Sequence, residues 1–107
     1  MRSPFQGRIW VLVGPAVYSA SESFSVFCQE TGFATLVGQN TGGDGIGSLD
    51  PIFLQLPNSG LLLQFSMMFG LNADGSSSEE AGTMPEILSP EGEPALVTAL
   101  RSISAVL

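Results

Sequence analysis

Apolar residues gather in short blocks between turn-forming residues, and the period inside each block assigns its conformation. Arg8 to Val13 is rich in β-branched and aromatic residues and lacks alternation, which predicts a strand covered on both faces and lying inside a sheet. From Ala20 the apolar positions Ala20, Phe24, Phe27 and Cys28 fall at i, i+4, i+7 and i+8. That spacing predicts a helix burying one face, and Gly32 after Thr31 supplies its stop. Phe33 to Val37 reads as a second short strand, followed by a glycine-dense, mobile loop from Gly38 to Gly47. Pro51 to Leu56 and Leu61 to Phe69 read as two strands that pair as a hairpin across Pro57-Asn58-Ser59-Gly60. Asn72 to Gly82 is polar and turn-like. Met84-Pro85-Glu86-Ile87 is extended, because proline biases its predecessor away from helix, and Glu93 to Val106 is a last amphipathic helix.

The order β-α-β-loop-β-β-loop-α predicts a mixed α/β layer whose sheet is small and poorly closed on its own. A chain of 107 residues is one domain or part of one. Its net charge of −7 disfavours nucleic acid and anionic membrane surfaces as partners. No segment reaches the ~20 apolar residues of a membrane span. Arg2 and Arg8 before an apolar run ending in Ala16-Val17-Tyr18-Ser19-Ala20 imitate a signal peptide, but Gly14-Pro15 cuts that run short. The segment is therefore expected to be a strand of the fold.

Cys28 is the only cysteine, so an internal disulfide and thiolate metal clusters are excluded. Beside Phe24 and Phe27 it is expected to pack in the interior as an inert thiol. Asp44, Asp50 and Asp74 are too scattered for a calcium loop. Gly43-Asp44-Gly45-Ile46-Gly47 has no helix opening directly behind it and no lysine with it, so it does not read as a phosphate cradle. No metal or cofactor is expected.

Ser19 stands after a strand and a tight turn and immediately before a helix. A hydroxyl there lies beside unpaired helix N–H groups and the positive end of the dipole, which favours charge developing on an oxyanion during attack. Local sequence alone favours a simpler account: Ser19-Ala20-Ser21-Glu22 is a capping box, with Ser19 as the cap and Glu22 three residues on. The chain also contains no histidine and no lysine, the usual acceptors of a serine proton. If Ser19 is a nucleophile, its base lies elsewhere.

Several short motifs occur in a recognisable order. Val11-Leu12-Val13-Gly14 through Tyr18-Ser19-Ala20-Ser21-Glu22, then Val37-Gly38, Thr41-Gly42-Gly43, Asn72-Ala73-Asp74-Gly75 and Gly82-Thr83-Met84-Pro85-Glu86-Ile87 together resemble the C-terminal half of the C-terminal processing, or tail-specific, serine peptidases. The resemblance spans about residues 8 to 88. It implies a partial ClpP/crotonase-type fold, with residues 1–107 forming the C-terminal segment of a single catalytic domain. It also implies that Ser19 is the nucleophile and that the Ala20 amide is one oxyanion donor. The second donor, a glycine, would belong to the upstream half of the domain, a required partner.

Where the processing branch carries a lysine base in a Thr-Phe-Gly-Lys-Gly loop, this chain has Thr41-Gly42-Gly43-Asp44-Gly45. A carboxylate near pKa ~4 is a poor base for a hydroxyl, so Asp44 is not expected to take that role. The chain is more similar to the tricorn-core-like branch, which lacks the lysine and uses a histidine from earlier in the domain with a supporting glutamate. The matching position is Glu79; its alternative reading, with Glu80, is a solvated acidic turn.

The resemblance thus implies hydrolysis of peptide bonds in exposed polypeptide, by a parent protein exported to the bacterial surface or periplasm. The isolated chain is expected to be inactive and, with its sheet edges unpartnered, to self-associate. Two other classes stay open. One is a non-catalytic member that binds extended peptides by strand addition, motivated by Asp44; the other is a crotonase-like acyl-thioester enzyme, since fold does not fix function.

Overall fold

A computed structural model describes residues 5–44 and 51–106. Its elements in chain order are β1 (Trp10–Val13), α1 (Ala20–Thr31), β2 (Thr35–Gly38), β3 (Ile52–Gln55), β4 (Leu62–Phe65), α2 (Ser78–Ala81), β5 (Ile87–Leu88) and α3 (Ala95–Val106). β1, β2 and β5 form a parallel sheet in the order β1-β2-β5, with Val11 beside Leu36 and Val37 beside Ile87. Successive side chains on a strand face opposite sides, and Leu36 and Val37 are both fully buried. The central strand is therefore covered on both faces. Leu36 joins Val13, Cys28 and Ala34 in the core, with Ile9, Val11 and Val17 packed against them, while α3 lies against all three strands.

Two expectations are corrected here. Although β1 is as apolar as expected, it lies at the edge of the described sheet, and Leu12 is 43% exposed. A continuous apolar run states what a strand can bury, not how many neighbours it receives. α1 runs as predicted and stops at Gly32, which takes the left-handed conformation at φ 67°. Its buried strip, however, is Glu22, Ser25 and Cys28, while Phe24 and Phe27 are nearly half exposed and cluster with Phe33 at centroid distances of 5.7–6.4 Å. Packing against the sheet thus covers this strip and leaves the larger rings facing outward. Cys28 is fully buried as expected, and burial, with the nearby Glu86 charge, pushes its thiol above the ordinary range.

The hairpin forms as predicted, β3 antiparallel to β4 with Ile52 opposite Phe65 and Gln55 opposite Leu62. Its second strand stops at Phe65 rather than Phe69, because the Ser66 hydroxyl accepts the Met68 amide at 3.1 Å and turns the chain. Both strands are exposed along their whole length. Within the segment read as a turn, α2 makes a single helical turn whose cap, the Ser77 hydroxyl, accepts the Glu79 amide at 3.3 Å. Of the glycine-dense loop, Gly45 to Gly47 lie outside the described residues. Among the described residues no helix is long and apolar enough to cross a membrane.

Candidate active site

The turn leaving β1 is closed by the Val17 amide donating to the Gly14 carbonyl at 2.9 Å, and it delivers Ser19 to the start of α1. Ser19 has φ 58° and ψ −126°, far from the basins that residues with side chains ordinarily occupy. Holding a residue there costs about 1–3 kcal/mol and persists only where the surroundings over-determine it. The side chain is exposed and makes no capping hydrogen bond. The capping box is therefore not formed: the Ser19 amide donates to the Gly43 carbonyl at 3.1 Å, and Glu22 does not reach back to it. Glu22 is instead fully buried and accepts the Thr83 hydroxyl at 2.5 Å. Beside Ser19, the Ala20 amide is the first of the helix and so has no intrahelical acceptor.

Thr41-Gly42-Gly43 runs between the Ser19 turn and the segment from Ser78 to Thr83. On one side the Gly42 amide donates to Val17 at 2.7 Å, and Gly43 bridges Tyr18 in parallel. On the other the Thr41 amide donates to the Thr83 carbonyl at 3.1 Å, and the Thr83 amide donates to the Thr41 hydroxyl at 2.6 Å. Asn40 adds a hydrogen bond from its amide to the Ala81 carbonyl. The passage is too narrow for side chains: a Cβ on Gly43, at φ 92°, would lie 2.2 Å from the Ser78 carbonyl oxygen. Asp44, which follows, is exposed and has φ 63°.

Glu79 lies in the first turn of α2, across the Gly42-Gly43 strip from Ser19. Its carbonyl oxygen is 3.4 Å from the point a Gly43 Cβ would occupy. Both Glu79 and Glu80 belong to this helical turn, Glu79 half-buried and Glu80 exposed. No hydrogen bond joins the Glu79 carboxylate to Ser19 among the described residues. Asp74 serves its own turn, where its Oδ1 accepts the Ser76 hydroxyl at 2.6 Å and amide at 2.9 Å, holding the carboxyl below the ordinary range. Beside the start of α1, Val11, Leu12, Val17, Ala20, Ser21 and Phe24 border an open, largely apolar cavity of about 430 Å³. Among the described residues no group of three or more metal-ligating side chains comes together.

Thr41, Thr83 and the buried role of Glu22 are not separable from the motif string by sequence reasoning. Their signal is only that each of three separate motifs contains a side chain able to form hydrogen bonds.

Strand, strained serine, helix and an abutting Gly-Gly strip define an α/β site built around an exposed hydroxyl. The model of peptidase family S41 matches residues 2–89, and the chain belongs to that family. Among solved structures it is similar to a candidate peptidase from Parabacteroides merdae, with 25% identity and a TM-score of 0.70, over 99% of this chain and 34% of that one. It is also similar in fold to mature CPAF, solved in complex with lactacystin, at 22% identity and a TM-score of 0.65, over 92% of this chain and 19% of that one. The chain thus spans about a third or less of either solved chain, and shares their mixed α/β fold. No curated protein sequence matches it.

Proposed function

We propose that this chain is the C-terminal, nucleophile-bearing part of a serine endopeptidase domain that cuts exposed polypeptide. The observation that carries the reading is the backbone of Ser19: an uncapped hydroxyl on a strained strand-to-helix turn at a helix N-terminus. Such a turn is the geometry by which other hydrolases present a nucleophile.

In this reading Ser19 Oγ attacks the scissile carbonyl carbon and passes its proton to a base. The Ala20 amide donates to the resulting oxyanion. Collapse breaks the C–N bond, the leaving amine takes the proton, and water then hydrolyses the Ser19 ester. The base comes from outside these 107 residues, which contain neither histidine nor lysine. Asp44 in the place of a lysine supports the tricorn-core-like arrangement, an upstream histidine assisted by a carboxylate, and Glu79 is the carboxylate assigned here. A chain without the upstream donor and base is inactive by itself. Export to the bacterial surface or periplasm is the setting this reading carries.

Fluorophosphonate labelling of the full-length protein, with Ser19→Ala as control and the adduct located by mass spectrometry, tests the assignment. An adduct on Ser19 is the expected result. A folded protein that takes none, yet binds unfolded peptides, would replace it with the non-catalytic peptide-binding reading.

A further inference from the structure

The hydrogen bonds around Ser19 close into a ring that no single motif contains. Starting at the nucleophile position, the Ser19 amide donates to Gly43, two residues beyond Thr41. Thr41 and Thr83 are joined twice, amide to carbonyl at 3.1 Å and amide to hydroxyl at 2.6 Å. The Thr83 hydroxyl donates to Glu22 Oε1 at 2.5 Å, and Glu22 lies on the first turn of the helix that Ser19 opens. Thr41, Thr83 and Glu22 are all buried, so water does not compete for these bonds. The second Glu22 oxygen has no partner among the described residues, so the carboxyl is held in the ring by the Thr83 hydroxyl.

We infer that Glu22 is a positioning residue: through Thr83 and Thr41 it locks the Gly43 carbonyl onto the Ser19 amide and so holds the strained Ser19 backbone in its reactive pose. The assignment gives the buried carboxyl a purpose that neither capping nor core packing supplies. An apolar side chain would fill the same space without a buried, half-partnered carboxyl. The consequence for catalysis rests on the proposed role of Ser19; the backbone lock itself does not.

The test uses two variants of Thr83 in the full-length protein. Thr83→Val keeps the shape and removes the hydroxyl, whereas Thr83→Ser keeps the hydroxyl and removes the methyl. At a temperature where both are fully folded, the fluorophosphonate labelling rate of Ser19 is expected to fall about tenfold to a hundredfold in Thr83→Val, as for other small misplacements of a reacting group. Thr83→Ser is expected to label near the wild-type rate. Amide hydrogen exchange in peptides covering 17–23 and 39–44 is expected to accelerate in Thr83→Val alone. Adding Glu22→Ala to Thr83→Val is expected to slow labelling little further, because the two act in series.

Wild-type labelling and exchange in a folded Thr83→Val would overturn the inference. So would a Thr83→Ser as impaired as Thr83→Val, which would point to methyl packing. If the wild-type protein takes no label at Ser19, the peptidase reading fails, and the exchange comparison still decides whether the ring holds the backbone.

Discussion

The Leu36 amide, in the buried centre of β2, donates to the Glu86 carboxylate at 2.8 Å rather than to a strand carbonyl. Thr35 and Gln39 donate toward the β1 side, to Ile9 and Val13. Leu36, of opposite parity, therefore faces the β5 side. There the ladder covers only Val37 with Ile87 and Gly38 with Leu88. A side chain from the Pro85-Glu86 segment thus extends a two-residue strand by one hydrogen bond. Glu86→Ala leaves that amide unpaired and is expected to cost about 1–3 kcal/mol, with Glu86→Gln costing less because it still accepts. Denaturant unfolding measures both, and an alanine variant as stable as wild type would remove the role.

Gly43→Ala is expected to abolish the site rather than trim it. The added methyl would meet the Ser78 carbonyl oxygen at 2.2 Å, in a backbone conformation that alanine resists. The strip must shift, and the Ser19 amide then loses its acceptor. Labelling of Ser19 should disappear in a folded full-length variant; retained labelling would show that the strip is not part of the site.

Glu93 pins the start of α3. Its carboxylate accepts the Arg101 guanidinium at 2.6 Å and the Thr98 hydroxyl at 2.7 Å, and these two, the arginine first, hold its carboxyl below the ordinary range. A depressed folded value means that the contribution to stability is present above the unfolded value, near pH ~4.3, and is lost as pH falls through the folded one. Glu93→Gln should therefore destabilise the protein at neutral pH, with the gap to wild type closing below pH ~4. A gap that persists unchanged at low pH would assign the effect to the hydroxyl contact alone.

The hairpin should make the isolated chain associate with itself. Ile52, Phe53 and Leu54 are each at least 41% exposed, and Leu62, Leu63 and Phe65 at least 44%. A two-stranded hairpin with open edges is marginal alone and recruits further strands. Light scattering should show oligomers that Phe53→Lys and Leu62→Lys together dissociate. A monodisperse wild-type monomer would count against this.

Short-range physics accounts for what was legible in the chain itself. The α1 helix, its Gly32 stop and the hairpin turn at Pro57 to Gly60 depend on neighbours within a few residues, and all are present in the fold. The ordered motifs likewise identified the family without coordinates.

Tertiary structure decided the rest. Ser19 and Glu22 satisfy every local rule for a capping box, yet the Ser19 amide is taken by Gly43, 24 positions on (43 − 19), and Glu22 is engaged by Thr83, 61 positions on. Those partners compete successfully because burial strengthens their hydrogen bonds, and a local pattern contains no information about who arrives from that distance. The same holds for the turning of α1 and for the edge position of β1: the apolar residues were in plain view, but packing against other elements chose which of them to cover.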